Sequence, residues 1–229
     1  MSDKGASRRV LVIGATGDVG KGVTAAFLEA GWSVIASSRR EDSLAAIARA
    51  HPGADLSTIQ GDLDTEKDAA ALASAAGDLD AVVVTISLPW HAGRLTELTF
   101  EALNDHLTGY LRPHTNAAKA FIPTLKEGAT YLALGGGTAD FIIPGNSGMS
   151  MAQAAQRVLT TAWSRESKGK GVIIRELMIQ AAVEGYGADL MPGAEVVEQI
   201  EVGRRAVEIV EHPEFKGTVL TIPPKAGEA

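Results

Sequence analysis

Near the start of the chain, three glycines stand three residues apart in Gly14-Ala15-Thr16-Gly17-Asp18-Val19-Gly20, after the β-branched run Val10 to Ile13 and before a stretch that reads as a helix over 20–30. Glycines so spaced permit a tight turn, let backbone approach a pyrophosphate, and let the helix pack closely on a sheet. A diphosphate would rest on the N–H groups of this loop, Thr16, Asp18 and Val19 included, at the positive end of the helix. The plainer alternative is a strand-to-helix turn. Strand, helix and position in the chain all agree with the dinucleotide reading.

Arg39 follows Gly14 by 25 residues, in Ser37-Ser38-Arg39-Arg40 at the end of the second apolar burst. An acid at this point would suit the ribose 2′-OH of NAD, whereas an arginine suits a 2′-phosphate. Ser38 and Arg39 therefore indicate NADP(H), with a solvated arginine pair as the alternative. Gly61-Asp62-Leu63 follows the third strand, where the Asp62 carboxylate can accept the adenine amino group beside Leu63. On its own that tripeptide is an ordinary turn.

These loops need an alternating scaffold, and the sequence supplies one. Short apolar runs at 10–13, 34–36, 57–59, 81–86, 130–134, 172–179 and 218–222 alternate with helical stretches at 20–30, 42–50, 67–75, 99–125, 148–167 and 194–211. Strands separated by helices imply βαβ units and a parallel sheet. The expected fold is α/β: one Rossmann-type domain over 1–229, with its core at about 8–224 and a doubly wound sheet of about seven strands. No Pro/Ser-rich linker, charge block or repeat divides it.

Composition narrows the function classes. The chain has 229 residues, a net charge of -7 and no cysteine, which excludes a disulfide framework, a thiolate nucleophile and a zinc ribbon. Its acidic balance argues against nucleic acid as a partner. No apolar run approaches the ~20 residues that span a bilayer, and the amino terminus lacks the apolar stretch of a secretory signal. A cytoplasmic protein acting on a small molecule is the expectation. The five histidines show no metal-ligand spacing, so no metal is expected.

With these motifs together, the chain resembles the short-chain dehydrogenase/reductase family over nearly its full length. The spacing of Gly14, Gly17 and Gly20 is similar to the atypical and extended branches. Pro144-Gly145 before a helix, Gly171-Val172-Ile173-Ile174-Arg175 and Gly217-Thr218-Val219-Leu220 also sit where that family has similar residues. The resemblance implies a Tyr and, four residues on, a Lys at the start of the helix after Pro-Gly, a Ser after the fifth strand and an Asn on the preceding helix. Aligned on Pro144-Gly145, those positions hold Met149, Gln153, Gly136 and His106. The family's Asn-Asn-Ala-Gly after strand four reads Val84-Thr85-Ile86-Ser87, which puts Thr85 and Ser87 beside the cofactor, and the Pro-Gly after strand six reads Ala181-Ala182.

Hydride transfer to a carbonyl builds negative charge on oxygen and needs an acid there; the family's Tyr supplies it with a pKa lowered by the neighbouring Lys. A thioether has no proton and a carboxamide no charge. Substitutes are therefore sought among polar groups that the resemblance places near the nicotinamide. His106 is a natural donor at neutral pH, or else bonds backbone in place of the Asn. Thr138, next to the vacant Ser position, orients a carbonyl or serves only its loop. Tyr110, one turn beyond His106, and His91 beside Trp90 are further candidates against structural or surface roles; Ser147, Ser150 and Tyr186 are weaker. Met149, Met151, Met178 and Met191 lie in segments expected to border the cavity and suit an apolar substrate. Two readings stay open: an NADP(H)-dependent oxidoreductase with a non-standard proton relay, and a non-catalytic dinucleotide-binding protein or inactive partner subunit. The resemblance also implies a homodimer or homotetramer through helices 99–125 and 148–167, using Ala117, Ala118 and Phe121 with Ala154, Ala155 and Val158, unless these faces pack only inward.

Overall fold

The computed structural model describes residues 8–88, 93–185 and 195–225. Seven strands form a single parallel sheet: β1 (Arg9–Ile13), β2 (Ser33–Ser38), β3 (Leu56–Gln60), β4 (Ala81–Val84), β5 (Thr130–Gly136), β6 (Ile173–Ile179) and β9 (Val219–Ile222), in the order β3-β2-β1-β4-β5-β6-β9. The helices are α1 (Asp18–Glu29), α2 (Glu41–Ala50), α3 (Glu66–Ala76), α4 (Phe100–Phe121), α5 (Ser147–Glu166) and α6 (Gln199–Glu211). This is the doubly wound Rossmann-like arrangement expected from the alternating runs.

Strand residues alternate between faces, so one β-strand serves two cores. Val10 and Val12 of β1 join Val23 and Phe27 of α1 and Val202 and Ala206 of α6. Leu11 and Ile13 join Leu72 of α3 and Phe121 of α4 on the opposite face. Helices begin where side chains satisfy their first N–H groups: Thr65 accepts from Asp68 N at α3, Thr99 accepts from Ala102 N at α4, and Glu198 and Glu201 form a reciprocal box at α6.

The expected boundaries shift for identifiable reasons. Helix α4 stops at Phe121 rather than 125: Ile122 is its C-cap, and Pro123 has no N–H to carry the ladder on. Strand β4 stops at Val84 rather than 86, since its partner β1 ends at Ile13. Strand β5 runs on to Gly136 because Gly135 and Gly136 pair with Met178 and Ile179 of β6. The helix expected from 194 starts at Gln199; Val196–Val197 (β8) instead pairs with Ala182–Val183 (β7) in a separate two-stranded parallel sheet. Residue 194 itself lies outside the described residues.

Because β1 and β4 are neighbours while the chain winds outward from them in both directions, a crevice opens at their carboxyl ends. In sheets of this kind that switch point is where ligands bind.

Candidate functional site

The loop after β1 forms one half of the crevice. Gly14 has φ +82°, a left-handed conformation that glycine adopts without penalty. Its N–H and that of Ala15 donate to the Ser37 carbonyl at 2.9 and 3.1 Å, anchoring the loop to β2. A Cβ on Gly20 would stand 2.1 Å from the Gly14 carbonyl oxygen, so the helix can approach the loop this closely only with glycine there. Gly17 is the N-cap of α1 and offers no side-chain acceptor, leaving first-turn N–H groups to an external partner. The Asp18 carboxylate lies 3.6 Å from Lys21 Nζ.

Thr16 and Ser38 share a hydroxyl hydrogen bond of 2.8 Å, tying the loop to the end of β2. Gln60 Nε2 donates to the Arg39 carbonyl at 2.9 Å and so fixes the backbone that carries the exposed guanidinium. Arg39 and Asp62 line one shallow depression with Gln60, Gly61 and Leu72. Asp62 Oδ1 accepts from Leu63 N at 2.7 Å and Asp64 N at 3.1 Å, a side-chain turn that holds this loop. Leu63 is buried, and its carbonyl accepts from Asn116 Nδ2 of α4 at 2.8 Å. Asn116 is a positioning residue that sequence reasoning missed, and nothing in the spacing signalled it.

Thr85 closes the gap between β4 and the glycine loop. Its hydroxyl donates to the Ile13 carbonyl at 2.9 Å, and a Cβ on Gly14 would come within 2.8 Å of the Thr85 Oγ1. Beyond it lies a cavity of about 140 Å³. Val19, Thr85 and Ser87 line it on the loop side, so cavity and loop are continuous; Tyr110, Met149, Gln153 and the run from Gly135 to Thr138 line the other side. Leu134, Phe141, Ile143 and Ile179 make its wall largely apolar.

The candidate substitutes are not all brought together here. Gln153 lies over Gly136, where a Cβ would meet its Nε2 at 2.3 Å, and the Thr138 hydroxyl donates to Gln153 Oε1. His106 is half-buried against Gly148, whose Cβ would contact its ring at 3.4 Å, and it is not among the cavity's lining residues. Met149 packs with Tyr110 and Ala152 and lines the cavity. Met151 faces solvent and Met178 of β6 is buried beside Arg157, and neither is among the cavity's lining residues. Ser150 is buried and Ser147 half-buried, both outside the lining. Trp90, His91, Tyr186 and Met191 lie outside the described residues. Among the described residues no cluster of His, Asp or Glu could hold a metal ion, and no helix is long and apolar enough to cross a membrane.

Two ionisable groups near the cavity escaped the sequence reading. His114, one turn after Tyr110 on α4, is fully buried, lies 5.1 Å from the Tyr110 ring, and has Nε2 3.3 Å from the Ile86 carbonyl. Burial holds its pKa down to about 4. The i, i+4 spacing from Tyr110 was the available signal. Glu176 of β6 fills the space beside Gly135, whose Cβ would meet Oε1 at 2.3 Å. Burial pushes its carboxyl up to about 7, against the pull of the Arg157 guanidinium.

The two faces expected to pair between subunits differ. Ala117, Ala118 and Phe121 are buried in the chain's own core, so α4 does not present them to a partner. On α5, Val158 is 67% and Met151 41% exposed, with Ala154 and Ala155 half-buried between them.

Comparison with known proteins adds the following. Residues 14–180 match the family described as enoyl-(acyl carrier protein) reductase. No curated protein sequence matches the chain. A dehydrogenase/reductase from Sinorhizobium meliloti 1021 superposes with a TM-score of 0.80 at 18% identity, over 94% of this chain and 93% of that one. A Serratia marcescens short-chain dehydrogenase/reductase mutant gives 0.81 at 17%, over 93% and 95%. An NADPH-bound short-chain oxidoreductase from Pseudomonas aeruginosa PAO1, described as containing an atypical catalytic centre, gives 0.80 at 20%, over 93% and 94%.

Proposed function

This chain belongs to the short-chain dehydrogenase/reductase family, through the enoyl-(acyl carrier protein) reductase model it matches, and from that premise we propose that it is an NADP(H)-dependent oxidoreductase acting on a small apolar substrate with an activated double bond. The observation that carries this reading is the continuity of the two half-sites: Val19 and Thr85 belong both to the glycine loop's surroundings and to the wall of the apolar cavity. A dinucleotide with its diphosphate on Gly14–Gly20 and its adenosine end against Arg39 and Asp62 would present its nicotinamide there. The NADPH-bound Pseudomonas structure supports the choice of cofactor by fold likeness, and Arg39 supports it by charge.

The cofactor supplies a hydride. The chain's own residues hold it and orient the acceptor. Met149 stands where the resemblance puts the proton-donating Tyr, and a thioether donates no proton. Loss of a positioned acid typically costs ~10²–10⁴-fold, so an acceptor that needs no strong acid at its oxygen fits this site better than a simple ketone. The same substitution favours a second reading, a protein that binds NADP(H) and does no chemistry. The outward apolar strip of α5, from Met151 to Val158, would pair with a second copy in a C₂ dimer.

Calorimetric titration with NADPH, followed by NADPH absorbance against enones, quinones, imines and simple ketones, tests this. The expected result is tight NADPH binding, oxidation with at least one conjugated acceptor, and turnover of simple ketones at least ~10²-fold slower. Binding without oxidation by any acceptor would leave the non-catalytic reading. Absence of binding would sink both.

A further inference from the structure

We propose that the Gln153 carboxamide, oriented by Thr138, is the group that holds the acceptor oxygen of an α,β-unsaturated carbonyl substrate; this deepens the reading above and rests on it for the source of hydride. The Thr138 hydroxyl donates to Gln153 Oε1. The amide lies flat over Gly136, where a Cβ would come within 2.3 Å of Nε2 and 2.6 Å of Oε1; with Oε1 taken by Thr138, the Nε2 hydrogens are what it offers to the cavity it lines. The absence of a side chain at residue 136 is what leaves the amide room in the cavity wall.

Thr138 is itself held. It lies in the short 3₁₀ turn Gly137–Ala139, and Asp140 just after the turn is paired with Arg157 of α5 and accepts from Gln180 Nε2 at 3.4 Å. The turn is thereby fastened to α5 and to the residue after β6. A donor fixed in this way costs little reorganisation when charge develops against it.

The chemistry of a primary amide selects the substrate. Its N–H is a hydrogen-bond donor without a transferable proton at neutral pH, so it stabilises an oxyanion but cannot neutralise one. Hydride added to an isolated ketone leaves an alkoxide, which is strongly basic and demands a proton at once. Hydride added to the β-carbon of an enone moves the C=C pair toward the carbonyl and leaves an enolate, whose charge is shared between oxygen and carbon. NADPH would supply the hydride and leave as NADP⁺, the Gln153 N–H would bear on the enolate oxygen, and a water molecule would give its proton to the α-carbon and leave as hydroxide. No charged side chain is among the cavity's described lining residues, which suits an uncharged conjugated acceptor.

The test uses two probes on the full chain. 2-Cyclohexenone reports NADPH-dependent reduction, and p-nitrophenolate, an enolate mimic, reports oxyanion binding by absorbance with and without NADP⁺. Gln153→Leu should lower enone reduction about 10²-fold, the loss typical for an oxyanion donor, and weaken phenolate binding at least ~10-fold, with NADPH affinity within about twofold of wild type. Thr138→Ala should give a smaller loss of both, and Thr138→Ser should restore them, which a purely structural role for the loop would not require. Should Gln153→Leu misfold, the Thr138 pair decides alone. Phenolate affinity unchanged in Gln153→Leu, or equal in Thr138→Ala and Thr138→Ser, would overturn the proposal. Failure of wild-type protein to bind NADPH would instead remove the proposed function, while the phenolate arm would still decide the role of Gln153.

Discussion

The glycine loop and the cavity over β5 face each other across the same crevice, yet they are built on different principles. The loop is backbone chemistry: Gly14 at positive φ, Gly20 pressed against the Gly14 carbonyl, and the N–H groups of Gly14 and Ala15 donating to the Ser37 carbonyl. The cavity is side-chain chemistry, walled by Tyr110, Met149, Gln153 and Phe141. A backbone cradle tolerates few changes because a single added carbon collides with main chain. A cavity wall tolerates many, because one side chain can be exchanged for another of similar bulk without disturbing the fold. Binding apparatus and reaction apparatus can therefore diverge independently on one scaffold.

The comparison sharpens first in pH dependence, where the buried ionisable groups lie on the cavity side. The folded protein keeps Glu176 protonated up to about pH 7, whereas the unfolded chain releases that proton near 4.5. Stability contributed by this difference is present in acid and is lost as pH rises from about 4.5 through about 7, by about 3 kcal/mol. Glu176→Gln should match wild type in urea midpoint near pH 4 and exceed it near pH 8. An equal offset at both pH values would refute the assignment. His114 acts in the opposite sense: with its folded pKa held at about 4, stability is lost as pH falls from 6.5 through that value. Between about pH 4.5 and 6.5 the two slopes offset one another.

On the loop side, the expected effects fall on cofactor affinity. Gly20→Ala forces a methyl into a space bounded 2.1 Å away by main chain, an overpacking cost of about 1–3 kcal/mol. Expressed at the loop, that is roughly a 10–100-fold loss of NADPH affinity, read by calorimetry, with Met149→Leu as the contrasting cavity change that leaves affinity alone. Comparable losses in both variants would erase the distinction between the halves.

The smallest expected effect concerns cofactor choice. Arg39 is exposed, with its backbone fixed by Gln60; a guanidinium–phosphate contact there should favour NADP(H) over NAD(H) by roughly tenfold. Arg39→Ala should abolish the preference by weakening NADP(H) and not NAD(H). Equal affinities in the wild type would remove the argument.

The sequence by itself determined the elements and the glycine loop at their ends. Short continuous apolar runs such as 10–13 and 81–84 bury both faces only in a sheet covered on each side, and Gly14, Gly17 and Gly20 carry their meaning locally, since a turn needs no distant partner to demand glycine. What distant strands and helices bring together was decided by tertiary structure alone. Leu63 fastened by Asn116 from α4, Glu176 of β6 filling the space beside Gly135 of β5, and the β7–β8 pair each depend on segments far apart in the chain. The same reason governs the displacement of His106 from the cavity and the orientation of Gln153 by Thr138. A side chain's type is written in the sequence, but its surroundings, and so its pKa and its partner, exist only after the sheet has closed.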